Sequence, residues 1–473
     1  MEMISFGSIF SIIYLVLTLS IIIVIVMDNR NPVRTLAWIL VLLFLPLLGL
    51  ILYFAFGQNI RRKRRLSQFV PGLINPEILH QLMEAEPAKI KPEQATKLQL
   101  FENVSDALPL DASHCEIFTV GDDMLQSLLS AMENATNHIH VQFYIFEEDA
   151  IGNIVKDVLI KKAREGVKVR VIYDHVGCWS VKHEFYEEME CEGVEIYPFR
   201  KVYFPFFTSR VNFRNHRKIV VIDGRIGFVG GMNLALRYFR KDKGQFWRDT
   251  HLRLEGRAVY GLQYTFLSDW MFVSQQQVRS VNFFPELPAN NGLLCQIVHS
   301  EPSNTWENIM MGFMQLILQA KQYCYIQTPY FLPTDCMLKA MQTAALSGVD
   351  VRLMIPGHSD SILPHLGSQS YLEDVLRAGV RVYVYKEDFL HAKTLVCDDE
   401  VATVGSTNMD FRSFEHNFEV NAFIYNSDFA KRSREIYVND MQTCYELTLE
   451  KWEKRSVWKR IAESFVRLLS PLL

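Results

Sequence analysis

The sequence predicts an α/β protein: a duplicated α/β sandwich with two halves related by a pseudo-twofold axis, preceded by two transmembrane helices. Three observations carry this expectation. Two uncharged apolar runs open the chain, strand-like and helix-like runs alternate from about residue 113, and the second half repeats the first at offsets of about 182 to 186 residues. The chain has 473 residues, room for about three units at roughly 150 residues each. With 49% hydrophobic and 12% aromatic residues it is no disordered chain, and a net charge of -4 excludes a generally basic nucleic-acid binder. The eight cysteines are scattered with no Cys-x-x-Cys pair, so neither a disulfide scaffold nor a zinc ribbon is expected.

Residues 4–27 and 36–56 contain no charged side chain. At 1.5 Å rise per residue, about 20 such residues cross a hydrocarbon core of about 30 Å, so residues 1–57 are predicted to be a two-span hairpin. Pro46 and Gly49 are compatible with a span because neighbouring groups satisfy the freed carbonyl. The first run lacks the basic start and small-residue cleavage site of a signal peptide. Arg61-Arg62-Lys63-Arg64-Arg65 follows the second run. Cations concentrate on the cytoplasmic side, which places everything after residue 60 in the cytoplasm of a bacterial cell membrane, beside anionic headgroups. Residues 58–112 read as a basic juxtamembrane segment and linker with short helices.

From residue 113 onward, apolar β-branched and aromatic runs (139–146, 167–173, 219–222) alternate with helical stretches (154–164, 182–190), the pattern of helices covering a mixed sheet. Ala163-Arg164-Glu165-Gly166-Val167 is echoed by Ala345-Leu346-Ser347-Gly348-Val349, Gln142-Phe143-Tyr144 by the region of Gln327 to Tyr330, and Gly193-Val194 by Gly379-Val380. Such an offset is too long for a solenoid and suits a duplicated domain, with halves at 113–285 and 286–450. Residues 451–473 mix six cations with Trp458, Ile461, Phe465, Leu468 and Leu469, which predicts a C-terminal amphipathic helix lying at a membrane surface or packed on the domain.

The repeat delivers one polar cassette twice. The first copy is His216-x-Lys218-x4-Asp223 followed by Gly230-Gly231-x-Asn233; the second is His391-x-Lys393-x4-Asp398 followed by Gly405-Ser406-x-Asn408. Histidine and asparagine are 17 residues apart in each. In a strand, residues i and i+2 share a face, so each His–Lys pair projects together. Two imidazoles, two ammonium groups and two amides meeting across a twofold axis suit a phosphodiester. Lys and Asn hold the non-bridging oxygens, one His attacks phosphorus, and the other protonates the leaving alkoxide. Asp249, 33 residues past His216, and Glu419, 28 past His391, are candidate acceptors for the Nδ1 proton, within or across halves. Asp223 and Asp398 complete the motifs and suggest a structural role beside the chemistry.

HxKxxxxD twice in one chain resembles the phospholipase D superfamily. The chain is similar to its bacterial cardiolipin synthases in Asn31-Pro32, Ala37-Trp38, Pro46, Phe213 to Lys218, Gly230 to Asn233, Thr328 to Phe331, Arg412 to Phe414 and Asn417 to Glu419. It departs where Ser300-Glu301-Pro302-Ser303 replaces a Gly-Pro-Asp turn, which bears on a local contact near the start of the second repeat. The resemblance implies a metal-free and cofactor-free phosphatidyl-histidine intermediate, phosphatidylglycerol as substrate, and cardiolipin and glycerol as products. By the same analogy His216 is the nucleophile and His391 the acid and base; the reverse assignment stays open. A hydrolytic phospholipase D, a nuclease of the superfamily and a non-catalytic membrane scaffold are the competing readings. Two spans and the absence of a broad basic surface disfavour the nuclease and a nucleic-acid partner, and the intact motifs disfavour the scaffold. Oligomeric state, including a homo-oligomer, is not fixed by these features.

His358, Asp360 and His365 lack metal-ligand spacing and read as a loop (356–370) near the pocket. His138, His140, His175 and His183 read as surface or satisfied strand histidines. Tyr203-Phe204-Pro205-Phe206-Phe207, just before the first motif, reads as core or as an acyl-chain contact.

Overall fold

The computed structural model describes residues 6–27, 32–45, 47–53, 92–105, 107–202, 213–239, 246–278, 281–288 and 292–470. The cation run 61–65, most of the linker and the aromatic run 203–207 lie outside the described residues.

The echoed glycines explain the duplication at backbone level. Gly166 and Gly348 have φ of 90° and 94°, and Gly193 and Gly379 have 90° and 91°. Each follows a helix and turns the chain into the next strand through the left-handed conformation that favours glycine. The helices they close are Ala150–Arg164, Asp335–Leu346, His183–Cys191 and Ile362–Arg377. Asp149 and Thr334 cap the first two at their N-termini by accepting backbone N–H bonds.

Each crossover helix joins parallel neighbours, so each half carries a mixed sheet. In the first, the strands lie in the order His114–Phe118, His251–Glu255, Ile226–Gly230, Ile219–Ile222, His138–Phe143, Lys168–Asp174, Glu195–Phe199. In the second, the order is Leu293–Ser300, Glu419–Tyr425, Val401–Gly405, Thr394–Cys397, Tyr323–Gln327, Asp350–Pro356, Arg381–Tyr385, with Leu110–Ala112 and Cys444–Leu447 added at the edges. Strand for strand the seven-stranded pattern is the same. So is the register: Gln142 pairs with Ile219 and Gln327 with Thr394, the residue after each motif lysine.

One apolar core joins the halves. It packs Ile219, Val221, Val229 and Leu252 of the first sheet with Val404, Val420 and Ala422 of the second, together with Phe266 and Trp270 from the helix Val259–Ser274. The remaining helices cover the outer faces, where separate cores form. The end of the predicted linker joins the second half: helix Pro92–Ser105 sets Phe101 against Phe423, and Leu110–Ala112 pairs with Leu293–Ser300.

The first apolar run forms the helix Phe6–Met27, and the second is divided into Pro32–Phe44 and Leu48–Leu52. Leu47, between the two pieces, has φ of 62°, outside the right-handed helical region. The residue before it in sequence is Pro46, which has no N–H to continue a helical ladder. Tyr14 donates to the Leu42 carbonyl at 2.8 Å, tying the first helix to the second. Among the described residues no helix is long and apolar enough to cross a membrane. The prediction of two transmembrane helices is therefore met only as far as helical structure goes.

At the other end of the chain, helix Val457–Arg467 docks on Ile362–Arg377 through buried Val466 and through Arg467, which pairs with Asp374 at 2.8 Å. Its opposite face leaves Trp458, Ile461, Phe465 and Leu468 exposed.

Candidate active site

The two histidines reach the seam between the sheets because short cross-half pairings hold their backbones there. His216 N–H donates to the Phe418 carbonyl at 2.9 Å, and His391 N–H donates to the Arg248 carbonyl at 2.8 Å. Each acceptor is followed in sequence by a carboxylate, so the pairing delivers that carboxylate to the imidazole from the opposite half. His216 Nδ1 donates to Glu419 Oε1 at 3.0 Å, and His391 Nδ1 lies 2.5 Å from Asp249 Oδ2. The question of within or across halves is answered by the backbone: both pairs cross. An Nδ1–H held this way leaves Nε2 as the lone-pair nitrogen.

The two carboxylates are held differently. Ser406 donates to Glu419 Oε2 at 2.5 Å and Asn417 Nδ2 donates to Oε1 at 3.1 Å. In the first half Gly231 occupies the place of Ser406, and a Cβ there would meet Asp249 Oδ1 at 2.1 Å. Glycine is required for Asp249 to approach this closely.

His216 and His391 line one cavity of about 580 Å³, together with Asn233 and Asn408. Lys218 and Lys393 are fully buried just behind the imidazoles: Lys218 Nζ donates to the His216 carbonyl at 2.6 Å, and Lys393 Nζ lies 2.8 Å from His391 Nδ1. Burial pushes Lys218 down to about 7 and Lys393 down to about 8. Burial also lowers both histidines, His391 well below its ordinary value with the lysine charges adding to the effect, which favours the neutral imidazole that a nucleophile needs. Burial alone would raise Glu419, but His216, Lys218 and Ser406 outweigh it and keep its carboxyl low. Asp249 is raised, by burial first.

Asp223 and Asp398 are not brought to the cavity. They sit at the far ends of strands Ile219–Ile222 and Thr394–Cys397, in left-handed turns with φ of 51° and 54°. Asp223 accepts the backbone N–H groups of Thr136, Asn137 and His138 at 2.8–2.9 Å. Asp398 accepts those of Lys321, Gln322 and Tyr323 at 2.7–2.9 Å. Each motif aspartate thus ties its strand to the start of the neighbouring one.

Sequence reasoning missed several residues that the fold brings in. Asn233 Nδ2 donates to Tyr238 Oη at 2.7 Å, and that hydroxyl sits 3.5 Å from His391 Nδ1. Tyr144 meets the His216 ring edge-on at 5.0 Å. Arg217 forms a buried pair with Asp269 at 2.7 Å, and Gln142 donates to the same carboxylate at 2.5 Å. In the second half Gln327 donates to Asp440, which pairs with Arg248. The echo of Gln142 in Gln327 was the available signal. The 356–370 stretch does border the cavity, through Asp360, Ser361 and Leu363, but from residue 362 it is helix, not loop. His138 and His140 are buried strand histidines bonded to Gln263. Among the described residues no group of three His, Cys, Asp or Glu side chains could hold a metal ion.

A duplicated mixed α/β fold that sets one histidine per half in a shared cavity, with a buried lysine behind each, defines a phospholipase D-like protein. The family pattern described as "Cardiolipin synthase, PLD-like domain" matches residues 128–255 and again 313–441, and "Phospholipase_D-nuclease N-terminal" matches 16–58. The chain is 40% identical over 470 residues to the major cardiolipin synthase ClsA of Bacillus subtilis, covering 96% of each. It is 38% identical over 458 residues to cardiolipin synthase 2 of Bacillus anthracis, covering 95% of this chain and 89% of that one. The crystal structure of a phosphatidylserine synthase from Haemophilus influenzae shares the fold, with a TM-score of 0.62 at 15% identity over 80% of this chain and 100% of that one. The chain belongs to the cardiolipin synthase family of phospholipase D-like proteins.

Proposed function

We propose that this chain transfers a phosphatidyl group between two phosphatidylglycerol molecules, giving cardiolipin and glycerol. The observation that carries the reading is the pair of cross-half His–carboxylate contacts at one cavity. Neutral His216, oriented by Glu419, attacks phosphorus through Nε2. His391, oriented by Asp249 through Nδ1, acts as the imidazolium and gives its Nε2 proton to the departing glycerol oxygen, which leaves the imidazole neutral. It then removes the proton from the glycerol hydroxyl of a second phosphatidylglycerol, whose oxygen displaces His216. Lys218 and Lys393 supply positive charge from behind the imidazoles, and Asn233 and Asn408 lie on the cavity wall beside the non-bridging oxygens, where charge accumulates in the transition state. Ser406 holds Glu419, while Asp223 and Asp398 maintain the strand ends.

The substrate places this chemistry at a membrane. Two apolar surfaces support a multi-pass chain in a bacterial cell membrane with its catalytic body in the cytoplasm. Phe44 on the N-terminal helices is 76% exposed, and Trp458 and Phe465 on helix Val457–Arg467 are 80% and 68% exposed. Lys459 and Arg460 beside them are also exposed and suit anionic headgroups.

The test is product analysis. Purified protein supplied with labelled phosphatidylglycerol yields cardiolipin and glycerol in equal amounts, and His216→Ala yields neither. Phosphatidic acid as the sole lipid product would instead establish a hydrolase.

A further inference from the structure

The cavity holds two carboxylates that the reaction above does not use. Asp360 lies at its rim and accepts the Tyr330 hydroxyl at 2.8 Å on both oxygens. Asp410 lies on its wall, 5% exposed, with one oxygen accepting Ser413 N–H at 2.6 Å. Among the described residues neither has a cation within 4 Å. Both carboxylates help to keep the Lys393 ammonium charged, and a carboxylate on a cavity wall without a paired cation can also accept hydrogen bonds from hydroxyl groups.

A second observation gives these acceptors a purpose. Asn417 spends its amide N–H on Glu419, and its Oδ1, buried on the same cavity, has no partner among the described residues. Asn408 Oδ1, in a side chain only 5% exposed, is equally unpartnered. Buried acceptors left unmade cost free energy until a donor arrives. Acceptor oxygens of four side chains thus gather in a cavity that Arg214, Arg237 and Arg412 also line, and the complement of that acceptor cluster is a group rich in O–H donors.

We propose that Asp360, Asp410, Asn408 and Asn417 form a subsite for the vicinal hydroxyls of a glycerol headgroup, selecting a polyol over water or a simple alcohol as the group that enters or leaves. The inference rests on the phosphatidyl-transfer reading and assigns the part of the cavity that recognises the acceptor. When the acceptor attacks, its oxygen forms the new P–O bond, the P–N bond to histidine breaks, and the hydroxyl proton passes to the other imidazole. The subsite holds the second hydroxyl of the diol and so fixes which oxygen is presented. A site built to hydrogen-bond a hydroxyl discriminates strongly against an analogue that lacks it, because its own acceptors are then left unpaired.

The experiment uses the full chain in phosphatidylglycerol-containing mixed micelles with labelled glycerol, propan-1-ol or ethanolamine as competing acceptors. Exchange into phosphatidylglycerol, phosphatidylpropanol or phosphatidylethanolamine is read separately. The wild type is expected to prefer glycerol over propan-1-ol by at least about tenfold in kcat/KM. Asp360→Ala and Asp410→Asn, the second keeping an acceptor for Ser413 N–H, should bring that ratio toward one, chiefly through the KM for glycerol. An equal loss with glycerol and propan-1-ol, an unchanged ratio, or a wild-type preference for ethanolamine would each overturn the subsite. A wild type that transfers to no acceptor at all would sink the function itself, a distinguishable result.

Discussion

Replacing Gly231 with serine would put a Cβ 2.1 Å from Asp249 Oδ1, although serine at the matching position of the other half, Ser406, helps to hold Glu419. The same residue type helps on one side of the seam and is intolerable on the other. Gly231→Ser is expected to displace Asp249 from His391 and lower kcat by about 10²-fold or more, the scale of losing an oriented general acid. Ser406→Ala removes one of three bonds to Glu419 and should cost less; steady-state kinetics on the two variants checks the order. The lysines set a pH limit. Lys218 and Lys393, lowered by burial to about 7 and 8, keep their ammonium charge below those values and lose it as pH rises through them. His216, lowered by burial, gains a proton as pH falls and then has no lone pair with which to attack. A bell-shaped kcat/KM profile with its alkaline limb between about pH 7 and 8 is expected, and a rate that stays flat to pH 10 would contradict it.

The elements that carry the site were legible in the sequence because each leaves a periodic mark. The motif strands read as apolar runs after His216 and His391, and the repeated Gly166/Gly348 and Gly193/Gly379 pairs mark helix ends that need positive φ. Asp223 and Asp398 were legible as motif members and as architectural residues, but their partners were not, since a carboxylate that caps three N–H groups 75 to 87 residues away leaves no local pattern. The same holds for Tyr238, Asn417 and Asp410, which reach the cavity through tertiary packing alone. The second apolar run shows the opposite limit: hydropathy averages over Leu47, whereas the backbone turns there. At this scale Asp223→Ala should act on stability. Leaving three backbone donors without their acceptor costs about 1–3 kcal/mol, seen as a lower Tm in thermal unfolding of the catalytic body, with kcat altered far less than by any substitution at His216.

Across the whole molecule, the near-neutral charge of -4 averages unlike parts. Residues 61–65 hold five cations and residues 451–473 hold six against two glutamates, so the remaining body is acidic. Within that acidic body positive charge is gathered locally at the cavity, where Arg214, Arg237 and Arg412 line the wall and Lys218 and Lys393 lie behind the imidazoles. The duplication makes this possible: each half supplies a histidine and the carboxylate that orients the other half's histidine, so neither half holds a complete site. The account therefore turns on one covalent step shared between the halves. Its most direct test is to trap that step in the unsubstituted full chain, supplied with phosphatidylglycerol labelled at phosphorus and quenched by alkaline denaturation within a turnover. Acid-labile label on the protein is expected, mapped to the peptide containing His216 and absent when His216 is replaced. Label in neither protein, or label that persists without His216, would contradict it.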